Sequence, residues 1–181
     1  MSAYNAVTWL LDRNVDEGRG AKLAFTDTVS ELTYGDLQKQ SCRVANLLRR
    51  LGVRREERVA MIMLDTVDFP AVFLGAIRAG VVPVPLNTLL TSDQYAYVLA
   101  DCRARVLFVS EALLPVVKDM VGRMADLDHV IVAGNDDVIE VRHPTEHILD
   151  HRQQRLGNEQ HPRAAIRQHI GILIRGQQRI E

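Results

Sequence analysis

Residues Arg58–Asn87 read RVAMIMLDTVDFPAVFLGAIRAGVVPVPLN, and this stretch decides the fold. After its arginine, Arg58–Leu64 is apolar on consecutive residues, as a strand covered on both faces requires; a strand with one wet face would alternate. A helix is expected from Val67 to Ala79, with Phe69, Phe73, Ala76 and Ile77 turned inward. Pro70 is tolerated in its first turn, and Gly80 supplies a left-handed stop. A second apolar run, Val81–Pro85, follows immediately. Strand, helix and strand in about thirty residues make a parallel crossover unit.

The same alternation extends in both directions. Val106–Val109 and Val130–Ala133 read as further buried strands, and Lys22–Thr26 as a weaker early one. A helix over Tyr34–Leu51 places Leu37, Val44, Leu48 and Leu51 on one face, with Thr33 and Asp36 as a capping box and Gly52 as its stop. Another opens on the capping box Thr91 and Gln94 and carries Tyr95, Val98 and Leu99. A fourth is expected to start at Ser110 and bury Leu113, Val117, Val121 and Met124. The expected fold class is α/β: a partial doubly wound, mostly parallel sheet with helices on both faces, plus an irregular tail.

The tail is set apart by composition. All nine aromatic residues lie at or before Phe108, and all six histidines at or after His129. From about Asn135 to Glu181, Arg, His, Gln and Glu dominate, a mixture that buries little apolar area against its ordering entropy. Two origins stay open for residues 135–181: a solvated, disordered tail, or translation in a shifted reading frame. Residues 1–134 are the candidate domain.

A formal net charge of -1, with both signs interspersed, gives no electrostatic footprint for a nucleic acid. The longest apolar runs are too short to span a bilayer, and no signal pattern opens the chain. A cytoplasmic protein with no membrane partner is expected. Cys42 and Cys102 lie in helical patterns without metal-ligand spacing and read as packing residues.

Two stretches resemble signatures of the adenylate-forming superfamily of acyl-CoA synthetases, luciferases and peptide-synthetase adenylation domains. Leu32-Thr33-Tyr34-Gly35-Asp36-Leu37 resembles the family's Leu-Thr-Tyr-x-Glu-Leu element, and Gly75 through Asn87 its Ala-Gly-x-x-x-x-Pro-Leu-Asn stretch. Their order and spacing together are specific. Asp12-Arg13-Asn14-Val15 with Glu17-Gly18-Arg19-Gly20, Leu64 through Phe73, Asn87 through Thr91, and Tyr95 through Leu99 resemble benzoate-CoA and 4-hydroxybenzoate-CoA ligases. The resemblance covers Asn5 to Gly134 and then ceases.

It implies a two-step reaction in the full-length family. An aromatic carboxylate attacks the α-phosphate of Mg-ATP to give an acyl-adenylate, and CoA thiol then displaces AMP. Such chemistry needs a Ser/Thr/Gly-rich phosphate loop, and this chain has none. ATP, Mg2+ and CoA are therefore implied for the full-length family but not expected to bind this chain well. No catalytic, cofactor-binding or metal residue is assigned. A basic residue that contacts CoA after the Pro-x-Asn element in some aryl-CoA ligases is replaced here by Thr88 and Leu89.

Three local features invite other readings. Gly18-Arg19-Gly20-Ala21-Lys22 lacks phosphate-loop spacing and reads as a turn. His143, His147 and His151 recur every four residues, yet a structural zinc site needs four ligands and a folded second shell. Asp65 and Asp68 sit where a strand meets a helix, the ligand edge of an open sheet, and helix capping explains them equally well. The expected function is an aryl-CoA ligase fragment without activity of its own; the alternative is a non-catalytic α/β binding module.

Overall fold

In the computed structural model the described residues are 5–133 together with the backbone of Ile139–Arg142. The strands are β1 (Leu23–Thr26), β2 (Glu31–Thr33), β3 (Arg58–Ile62), β4 (Val82–Pro85), β5 (Ala104–Ser110), β6 (His129–Ala133) and β7 (Ile139–Arg142). The α-helices are α1 (Tyr34–Arg50), α2 (Asp68–Ala79), α3 (Ser92–Cys102) and α4 (Leu114–Val121), and Thr8–Asp12 and Val15–Arg19 form short π-helical turns. One sheet has the order β4-β3-β5-β6-β7, parallel except for the antiparallel β6–β7 pair. The expected α/β class and mostly parallel sheet hold.

Side-chain alternation along the central strands divides the core. Val59, Met61, Met63, Val106, Phe108 and Ile131 face α1 and α2, where they meet Val44, Leu48, Val72 and Ala76. Ala60, Ile62, Leu107, Val109, Val130 and Val132 face α3 and α4, where they meet Tyr95, Leu99, Val117 and Met120. Both faces are covered, so the strands are apolar throughout. A smaller cluster of Val7, Leu11, Leu32, Leu37 and Ala71 seats the N-terminal segment against α1 and α2.

The helix ends follow their local chemistry. Gly52 and Gly80 take positive φ, 76° and 78°, as left-handed stops. Thr91 and Gln94 complete a capping box: the Thr91 amide donates to Gln94 Oε1 at 2.9 Å, and the Gln94 amide to Thr91 Oγ1 at 3.4 Å. Thr33 accepts from the Asp36 amide at 3.2 Å, but the Asp36 carboxylate takes the Thr33 hydroxyl at 2.6 Å. Aspartate is one methylene shorter than the usual Glu or Gln of a reciprocal box.

Several expectations are corrected. The strand expected over Lys22–Thr26 belongs to a separate antiparallel pair with β2, a strand the sequence reading did not expect. Ser110 ends β5; a 3-10 turn over Glu111–Leu113 precedes α4, because Pro115 is accommodated only in a first helical turn. On α2 the fully buried residues are Ala71, Val72, Gly75 and Ala76, whereas Phe69, Phe73 and Ile77 pack at the rim. Small residues line that face because α1 lies directly on it. Met120, not Leu113 or Met124, joins Val117 and Val121 as the buried set of α4. Ile139–Arg142, in the region expected to be an irregular tail, pairs with β6 from His129↔Arg142 to Val132↔Ile139. The unpaired backbone edge of β6 supplies the reason.

Candidate functional site

β3 leads into α2 on one face of the sheet, and its neighbour β5 leads into α4 on the other. The connections therefore diverge at the carboxyl ends of two adjacent parallel strands, the switch point where open α/β sheets bind ligands. The ladder ends at the pair Ile62↔Val109. Beyond it the Leu64 amide donates to Ser110 Oγ at 2.9 Å, so a hydroxyl joins the strands where backbone pairing stops. Ser110 is buried.

Residues 64–69 turn tightly above this point: the Thr66 amide donates to the Leu64 carbonyl at 2.8 Å and the Phe69 amide to the Thr66 carbonyl at 3.1 Å. Asp65 is exposed at the rim. The Val67 amide, at the start of α2, donates to Asp27 Oδ2 at 2.9 Å, while Asp27 Oδ1 accepts from Val29 and Ser30 at 2.8 and 2.7 Å. The Val67 amide first, then those of Val29 and Ser30, holds the Asp27 carboxyl below the usual carboxylate range. Asp27 thus places an anion at the start of α2, the role considered for Asp65 and Asp68. The sequence reading missed it, although Asp27-Thr28-Val29-Ser30 has the composition of an Asx turn.

These residues do not fit a phosphate. Residues 63–69 and 109–114 contain Asp65, Asp68 and Glu111 and neither lysine nor arginine, and an amide at the start of α2 already serves a carboxylate. Among the described residues no group of three or more His, Cys, Asp and Glu could hold a metal ion. His143, His147 and His151 lie outside the described residues.

The other sequence features have structural roles. Gly18 has φ of 82°, and the Lys22 amide closes a turn onto Arg19 at 2.9 Å, as expected of that segment. Asn87 builds the loop after β4: its side chain accepts from the Leu89 amide at 2.9 Å, and its carbonyl accepts the Tyr95 hydroxyl at 2.7 Å. Burial pushes the Tyr95 phenol up from its ordinary value. Leu89 is 88% exposed. Nearby, an open groove of about 400 Å³ is lined by Leu90, Asp93, Gln94, Tyr97 and Val98. Cys102 is half-buried, and burial raises its thiol. Asp12 receives Arg78 through two bonds of 2.6 and 3.1 Å and Gln38 Nε2 at 2.9 Å, tying the N-terminal segment to α1 and α2. Among the described residues no helix is long and apolar enough to cross a membrane.

A doubly wound sheet with its switch point between β3 and β5, carrying the Leu32–Leu37 and Gly75–Asn87 motifs, defines the class as an adenylate-forming α/β domain. The chain belongs to the AMP-binding enzyme family, whose model matches residues 11–169 and so runs past Gly134 into residues outside those described. It is 51% identical over 132 residues to the 4-hydroxybenzoate–CoA/benzoate–CoA ligase of Rhodopseudomonas palustris, covering 73% of this chain and 24% of that protein. To the benzoate–CoA ligase of Thauera aromatica it is 45% identical, covering 72% and 25%. The crystal structure of a benzoate CoA ligase from Burkholderia xenovorans superposes with a TM-score of 0.67 at 42% identity, over 72% of this chain and 26% of that one. That of an anthranilate CoA ligase in complex with anthranoyl-AMP gives 0.69 at 37%, over 72% and 25%. The chain thus spans about a quarter of the length of these relatives.

Proposed function

We propose that this chain is the N-terminal part of a cytosolic aryl-CoA ligase, and that the complete enzyme joins an aromatic carboxylate to CoA through an acyl-adenylate formed from Mg-ATP. The observation that carries this reading is the 51% identity to a 4-hydroxybenzoate–CoA/benzoate–CoA ligase over 132 residues, 73% of this chain. Within that enzyme these residues serve as scaffold. They bring the carboxyl ends of β3 and β5 together and fix the Asn87 loop, while the groups that hold phosphate and carry the reaction come from the remainder of the ligase. In this reading the chain alone is inactive.

The test is AMP release dependent on benzoate or 4-hydroxybenzoate, ATP and CoA. It is run on the 181-residue chain and on a chimera in which residues 5–133 replace the corresponding segment of the Thauera aromatica enzyme. The chimera should turn over and the chain alone should not. Turnover by the chain alone, or an inactive but folded chimera, would overturn the reading. Sequencing the coding region beyond Asn135 in the alternative frame tests the tail: a Ser/Thr/Gly-rich loop there would establish the frameshift.

A further inference from the structure

Among the described residues β4 is the terminal strand on its side of the sheet. The Val82 amide donates to the Glu57 carbonyl and the Leu86 amide to the Met61 carbonyl, each at 2.9 Å, and between them Val84 stands opposite Ala60. In a parallel pair, alternate residues turn their backbone groups to the same neighbour. Val82, Val84 and Leu86 therefore face β3, and positions 83 and 85 face outward. Both are proline and have no N–H. The outer edge of β4 offers carbonyl oxygens and, at these two positions, no donor.

A strand added there would leave two of its own carbonyls unpaired, and an unpaired buried acceptor bears its full desolvation penalty. A favourable cross-strand side-chain pair returns less than that penalty. No charged side chain protects this edge instead: residues 81–86 are all apolar, and Val82 is 40% exposed. Without the prolines, a short, uncharged, β-prone edge would be open for pairing.

We propose that Pro83 and Pro85 are an edge-blocking device, which makes β4 the fixed boundary of the sheet and closes it to strand addition by a second copy of this chain.

The experiment compares the full chain with the Pro83→Val, Pro85→Val double variant by sedimentation velocity over a concentration series. A third protein adds Val82→Lys to the double variant, since an edge lysine blocks pairing by another route. The double variant should shift to roughly twice the parent's mass or more through paired edges, and the lysine should return it to the parent distribution. An unchanged distribution in the double variant overturns the proposal, as does association that the lysine fails to reverse. Valine suits an extended backbone, so circular dichroism should match the parent. Loss of the native spectrum in both single proline variants would also overturn it, because the prolines would then be holding the strand itself.

Discussion

A Cβ built on Gly75 would stand 2.5 Å from Cβ of Val44 and 3.0 Å from the Ser41 carbonyl oxygen, so α2 lies against α1 at a distance only a missing side chain permits. Both residues are buried in the layer that covers β3 and β5.

For Gly75→Ala, two effects compete. Alanine in a helix interior is favoured over glycine by about 0.8–1 kcal/mol. Forcing a methyl group into a packed core costs about 1–3 kcal/mol, and here the obstacles are a Cβ and a backbone carbonyl rather than a flexible chain end. The expected net result is a loss of up to roughly 2 kcal/mol, read as a lower urea midpoint. Adding Val44→Ala should recover part of it, while Val44→Ala alone should destabilise. A Gly75→Ala protein as stable as the parent would show that the helices separate freely.

Arg78 and Asp12 make a two-bond ion pair between α2 and the N-terminal segment, with side chains 20% and 16% exposed. Replacing Arg78 by Met should cost roughly 2–3 kcal/mol, since the carboxylate keeps Gln38 but loses its charged partner in a mostly desolvated site. The check is the urea midpoint of Arg78→Met against that of the Asp12→Asn, Arg78→Met double variant, which removes the stranded charge and should be the more stable of the two.

Acid should act through the same carboxylate. Burial alone would raise the Asp12 carboxyl, but the hydrogen bonds from Arg78 and Gln38 and the Arg78 charge outweigh it and hold it low. A carboxyl depressed in the folded state contributes stability that is fully present above its unfolded value, about 3.9, and is lost as pH falls through the lower folded value. Asp27 is depressed and acts in the same direction. Thermal midpoints should therefore fall more steeply below about pH 4 in the parent than in Asp12→Asn, and the Asp12→Asn, Asp27→Asn protein should be flatter still. Equal slopes in all three would exclude these residues as the source.

Ser110→Ala tests the junction of β3 and β5. The Leu64 amide would lose its acceptor just beyond the last paired residues, at about 1–3 kcal/mol. Hydrogen exchange at Leu64 should accelerate, with exchange at Met61 and Phe108 following only the global loss of stability. Unchanged protection at Leu64 would mean another group accepts that amide.

The local code carried much of the fold. Runs of consecutive apolar residues specified β3, β5 and β6, because a covered strand must be apolar on both sides. Gly52, Gly80 and the Thr91–Gln94 box fixed helix ends, since capping satisfies backbone groups within one turn. β2, only three residues long, is too short to show a strand pattern, and β7 lies in a stretch whose composition suggested no strand.

What the tertiary structure decided was everything that joins residues distant in the chain. The order β4-β3-β5-β6-β7 brings Leu64 to Ser110, while packing of the N-terminal segment and the β1–β2 pair beside α2 brings Asp12 to Arg78 and Asp27 to Val67. The close approach of α1 makes Gly75 a packing residue instead of a helix defect, and the hydrogen-bond phase of β4 turns Pro83 and Pro85 outward. Sequence alone determined which segments could be buried and where each had to stop, because those choices rest on hydrophobicity and on backbone groups within a turn of one another. Which buried face meets which depends on how the strands assemble, and that is settled only when non-local pairing and packing close together.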